Sequence, residues 1–132
     1  MDTRTKIVTE ARALEILNQL RSAGIAVKAA TGYFDVLLAS HIHALRDAAN
    51  GSGKLFALVV NPPNPLLPQS ARAELAAAVA LIDYVIAIPG DGAELLNRFA
   101  PAEISRLEAG DLARTRKLIE HVKRRHMSEP NA

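Results

Sequence analysis

Between Thr31 and His41 the chain reads TGYFDVLLASH, a polar turn set between an apolar run and a helical pattern. Residue types suited to holding an anion gather there. A helix start offers free N–H groups and the positive end of the helix dipole. Gly32 allows close approach of a backbone to a ligand, Ser40 brings a hydroxyl, and His41 brings an imidazole that can hydrogen-bond phosphate. Asp35 suits either a cap on the turn or a place near substrate or Mg²⁺. Arg72, in the first turn of a later helical pattern, opposes the dipole as a cation. It is either a solvated surface residue or the partner of an anion. His41 and His43 are two apart, so on a helix they diverge and do not share a metal; no metal site is expected.

The elements that must position these residues alternate. TEARALEILNQLRSAG repeats Leu14, Leu17 and Ala11 at helical spacing, with Thr9 as N-cap and Gly24 at its end. IAVKAAT reads as a short buried strand, HIHALRDAANG as a helix, and KLFALVVN as a strand apolar on both faces, as a central parallel strand is. PPNPLLPQ carries four Pro in seven residues, which excludes regular structure because each removes a donor and fixes φ. SARAELAAAVALID is the next helix, with Ser70 as its expected cap; its small residues suit close packing in the core or against a second subunit, so a homodimer is an expectation. YVIAIP is a third strand closed by PGDG, AELLNRFAP and DLARTRKLIEHVKRRH are helices, and AEISRLE holds a short edge strand.

Strand–helix alternation implies parallel pairing through crossovers. The expected fold is a single-domain α/β Rossmann-like doubly wound parallel sheet, spanning residues 1–126, with 127–132 as a flexible tail. Ligands of such sheets sit beyond the carboxyl ends of the strands, which is where the turn at Thr31–Ser40 falls.

Composition narrows the classes. The chain has 132 residues, 49% of them hydrophobic, with no Cys and a net charge of +2. A single core at this size buries about two-thirds of the unfolded surface. Disulfides and thiolate metal sites are excluded. The small charge does not point to nucleic acid. The basic end of the last helix, Lys123 to Arg125, complements the dipole there. No continuous apolar run long enough to span a membrane is present, and the charged N-terminus does not read as a signal peptide. A cytoplasmic protein with neither membrane nor nucleic-acid partners is expected.

The turn resembles the signature of the cytidylyltransferase-like nucleotidyltransferases, nearest the sugar-phosphate branch represented by the nucleotidyltransferase domain of ADP-heptose synthase and by glycerol-3-phosphate cytidylyltransferase. That family reads roughly G-x-F-D-x-x-H-x-G-H. Gly32, Phe34, Asp35 and His41 match; Leu38 stands for the first His and Ser40 for the Gly. The resemblance extends over about residues 5–100 through the lead-in segment, the second strand, and the helix and third strand around RAELAAAVALIDYVI. It implies a nucleotidyltransferase fold and transfer of CMP or AMP from CTP or ATP, with Mg²⁺, to a small sugar- or polyol-phosphate. His41 would be catalytic, and Thr31, Gly32, Phe34, Asp35, Ser40, His41, Asn61 and Arg72 would bind the nucleotide.

The same resemblance exposes losses. The family's two imidazoles act on charge that builds at the α-phosphate as pyrophosphate leaves. Leu38 has no donor; losing one charge-assisted hydrogen bond costs about 1.5–3 kcal/mol. The stretch from Asn61 to Arg72 lacks the family's basic, glycine-containing loop. The late helix start that grips the triphosphate is matched only loosely, by Thr115 and Arg116. The expected protein is therefore a nucleotidyltransferase with weakened activity or a catalytically inactive nucleotide- or phosphate-binding homologue.

Overall fold

The computed structural model describes residues 2–35, 39–101 and 103–128, excluding the side chains of residues 39–41, 114 and 126–128. After a short 3-10 helix at Thr3–Lys6 come α1 (Glu10–Ser22), β1 (Val27–Gly32), α2 (Ala39–Ala48), β2 (Lys54–Val59) and α3 (Gln69–Ala77). Then follow β3 (Tyr84–Ala87), α4 (Ala93–Phe99), β4 (Glu103–Arg106) and α5 (Glu108–Ser128). The expected tail begins inside α5, and residues 129–132 lie outside the described residues.

The four strands form one parallel sheet in the order β3-β2-β1-β4. Its centre is buried on both sides, which explains the unbroken apolar composition of β2. One face packs Phe56, Leu58 and Ile86 against Leu17 of α1 and Phe99 of α4. Phe56 stacks on Tyr84 at 4.9 Å and meets Phe99 edge-on at 4.8 Å. The other face packs Ala57, Val59 and Val85 against Leu45 of α2 and Ala73, Ala76 and Ala77 of α3. The small residues of α3 thus serve the chain's own core. With helices on both faces of a parallel sheet, the fold is the Rossmann-like α/β arrangement expected.

Local chemistry sets the element ends. Thr9 caps α1, its hydroxyl accepting from the Arg12 N–H at 3.1 Å. The helix closes with Gly24 at φ +73° and with Ile25 N–H bonded to the Leu20 carbonyl at 2.9 Å, a left-handed C-terminal cap. The expected Ser70 cap is not found: Pro68 precedes α3 and makes no side-chain capping bond. Nor does α3 run to Asp83. It stops at Ala77, and a turn closed by Ile82 N–H on the Val79 carbonyl puts the Ile82 side chain into the core. Lys6 Nζ donates to the Val79 and Ile82 carbonyls at 3.1 and 2.8 Å. The β3 edge is extended by an isolated bridge from Ile7 to Val85. Among the described residues no helix is long and apolar enough to cross a membrane.

Candidate functional site

The chain steps outward from β1 to β2 to β3, then returns past β1 to lay down β4 on the other side. The strand order reverses between β1 and β4, the position where open α/β sheets bind ligands. A cleft of about 560 Å³ opens there, over the carboxyl ends of all four strands, lined by Tyr33, Asn61, Gly90, Asp91, Arg106 and Glu108 among others.

Among the described residues singled out in the sequence, Asn61 alone lines this cleft; most of the others are engaged with the protein itself. Thr31 ends up fully buried in β1, and its hydroxyl has no partner among the described residues. Gly32 is required by packing: a Cβ there would stand 2.8 Å from Asp111 Oδ2 and 3.0 Å from the Phe34 ring. Its missing side chain makes room for α5 and for Phe34. Phe34 itself is fully buried at φ +54°. A bulky residue in this region carries about 1–3 kcal/mol of strain, which burial of the ring offsets, and the kink redirects the chain after β1.

Asp35 is buried and caps another loop. Its carboxylate accepts from Leu66 N–H at 2.7 Å and Leu67 N–H at 2.9 Å. It therefore pins the Pro-rich segment to the β1 turn.

Arg72 is neither a solvated first-turn residue nor an open anion contact. It is 1% exposed. Its guanidinium donates to the Tyr33 carbonyl (3.0 Å), the Val60 carbonyl (2.7 Å), the Leu67 carbonyl (3.0 Å) and Asn61 Oδ1. It thereby ties the end of β1, the end of β2 and the Pro-rich loop together. Burial pushes its pKa down from the usual arginine value, and the Asp35 charge opposes that shift. The Asn61 oxygen faces a pure donor, so its amide NH₂ is the group left at the cleft wall.

Ser40 and His41 lie in the first turn of α2 by their backbone, but their side chains, and the whole of Val36–Leu38, fall outside the described residues. The described part of the turn, Tyr33 to Asp35, directly follows β1, while the altered position Leu38 and the side chains of Ser40 and His41 lie outside the described residues.

The helix start expected at Thr115 and Arg116 is displaced. The helix after β4 begins at Glu108, directly at the cleft, and its first turn is acidic, with Glu108 and Asp111. Asp111 accepts from Tyr33 N–H at 2.8 Å. Thr115 and Arg116 instead line a separate depression of about 350 Å³ between α5 and Asn64. Sequence reasoning missed Tyr33, Asp91, Arg106, Glu108 and Asp111. The available signal was positional, since residues just after β3 and β4 must stand at the same sheet end as the β1 turn. Arg106 donates to the Asp91 carbonyl at 3.0 Å and approaches Glu108 Oε1 at 3.4 Å.

No family model matches the chain. It is 31% identical over 97 residues to the bifunctional protein HldE of Methylococcus capsulatus (strain Bath), a match covering 67% of this chain and 20% of that protein. The chain thus spans about a fifth of the length of this curated relative. Its fold is similar to the crystal structure of the lipopolysaccharide core biosynthesis protein from Thermoplasma volcanium, with a TM-score of 0.56 and 25% identity over 61% of this chain and 73% of the other. Together with the fold, these two likenesses support a broad nucleotidyltransferase-like relationship for this chain.

Proposed function

We propose that the protein is a nucleotidyltransferase homologue in which transfer of CMP or AMP to a small sugar- or polyol-phosphate is weakened to near silence, and whose cleft serves as a small-ligand binding site. The observation that carries this reading is the engagement of Arg72. Arg72, expected to bind the nucleotide, is bonded instead to three main-chain carbonyls and Asn61 and is 1% exposed, and Arg116 lines a separate depression. Two further features support it. The Pro-rich loop contains no Lys or Arg, and the helix start facing the cleft carries carboxylates. A triphosphate, with or without Mg²⁺, therefore meets little positive charge.

A second reading, an active cytidylyl- or adenylyltransferase using Mg²⁺, is favoured by one observation: α2, whose first turn includes His41, is the element that follows β1, the order the sequence resemblance implies. Calorimetric titration with CTP and ATP in the presence of Mg²⁺, paired with a pyrophosphate-release assay using glycerol 3-phosphate, separates the two. Our reading expects weak triphosphate binding and no turnover above background. Sub-micromolar binding together with steady pyrophosphate release would replace it with the second.

A further inference from the structure

The cleft's own polar groups discriminate between parts of a nucleotide. Among the described residues, the charged side chains on its wall are Asp91, Glu108 and Arg106. Arg106 is already drawn to the Asp91 carbonyl and toward Glu108. The N-terminus of α5 would otherwise attract phosphate, but it holds Glu108 and Asp111 in its first turn. A smaller adjoining depression shares Pro89, Gly90 and Asp91 with the main cleft and adds Glu10 and Glu94; Glu94 is paired with Arg98. The field in this region therefore opposes a polyanion.

The same wall suits a neutral ligand rich in hydroxyls. The carboxylates of Asp91 and Glu108 accept hydrogen bonds only. The Asn61 amide, oriented by Arg72, offers donors. Tyr33, Val60, Pro89 and Ala109 complete the wall with aromatic and apolar surface, against which a sugar ring or base can pack. A volume of about 560 Å³ falls within the range of small-molecule sites, about 300–1,000 Å³.

We propose that this cleft binds a neutral polyhydroxylated ligand, either the ribose of a nucleoside or a free sugar, and disfavours the polyphosphate chain. Asp91 and Glu108 receive the ligand hydroxyls, and the Asn61 amide donates to a ring or carbonyl oxygen. This rests on the reading that the cleft is a ligand site.

The test is an NMR titration of the isotope-labelled full chain with cytidine, adenosine, ribose, CTP and ATP, following the amides of Gly90 and Ala109. The expected result is that both amides shift with the nucleosides or with ribose, and that each nucleoside binds about fivefold more tightly than its triphosphate, the order of effect that like charges a few ångströms apart have in water, screened by salt. The Asp91→Asn/Glu108→Gln variant keeps the steric volume and one acceptor at each position. It is expected to weaken cytidine binding while strengthening CTP binding, removing the fivefold preference. Should the double variant melt early, Glu108→Gln alone is read by the same ratio. Ribose binding as well as cytidine does would identify the sugar as the source of recognition; tighter cytidine binding would identify the nucleoside, and both support the proposal. CTP binding more tightly than cytidine at these amides overturns it while leaving the cleft as a ligand site. No shift with any probe overturns both.

Discussion

Replacing Arg72 with Met tests whether this residue builds the site or serves it. The side chain fills a buried volume, and Met conserves much of that volume while deleting every donor. Four acceptors then lose their partner: the Val60 carbonyl in a buried contact, and the Tyr33 carbonyl, the Leu67 carbonyl and Asn61 Oδ1 in part-buried ones. A buried group left unsatisfied costs about 1–3 kcal/mol, and the part-buried ones, which water reaches, cost about 0.5–1 kcal/mol each. Removing a desolvated cation returns some of this. The expected net loss is about 3 kcal/mol, a large share of the roughly 5–15 kcal/mol that holds a domain of this kind together. Urea unfolding followed by circular dichroism should show a lower midpoint with an unchanged slope, and Tm should fall by about 10 °C. Arg72→Lys keeps the charge but not the planar fork, and should recover less than half of the loss. If Arg72 were instead poised for a ligand, Met would be neutral or stabilising in the free protein. A change within about 0.5 kcal/mol, the range of ordinary surface substitutions, would refute the structural assignment and return Arg72 to the binding site.

Asp35→Ala removes the acceptor for the Leu66 and Leu67 amides and should cost about 2 kcal/mol; hydrogen exchange at those two amides should accelerate, and unchanged exchange would mean the loop holds itself. Gly32→Ala forces a Cβ to within 2.8 Å of Asp111 Oδ2 and should destabilise by about 1–3 kcal/mol, read by the same urea midpoint; an unaltered midpoint would show that α5 moves aside freely. Restoring the family turn with Leu38→His and Ser40→Gly should raise pyrophosphate release by less than about tenfold, against about 10²–10³ for an oriented donor in an otherwise complete site. A hundredfold gain in a protein of unchanged Tm would show that the turn alone limits the chemistry.

Much of the architecture was legible because it follows from local rules. Thr9 and Gly24 bracket α1 as caps do, and β2 is apolar on both faces because both faces are covered. The edge strand β4 was visible as a short run between two helical patterns. The end of α3 was not, because Ala77 to Ile82 has a helical composition and is turned by a contact from Lys6, more than 70 residues away in sequence. The site divides the same way. The β1 turn could be placed from sequence, since its position follows from strand order. The fate of Arg72 could not. A cation in the first turn of a helix looks alike whether it faces water or the ends of β1 and β2, and its acceptors lie 5 to 39 residues away. The acidic start of α5 was passed over because a family motif was sought by residue type, at Thr115 and Arg116, when the sheet end already fixed where it had to be.

The clamp around Arg72 also bears on which sequence changes this chain tolerates. An arginine freed to meet a phosphate must first abandon Tyr33, Val60, Leu67 and Asn61, and the loop it holds is anchored a second time by Asp35. Turning it outward without a replacement for those bonds loosens the sheet end before any ligand is gained. Substitutions that would free Arg72 for an anion are thus deleterious singly and useful only as a set, beginning with a loop that stands without the clamp. The interior acts as a ratchet: small sequence changes can refine the cleft as it is, while any route to an outward-facing Arg72 passes through less stable intermediates.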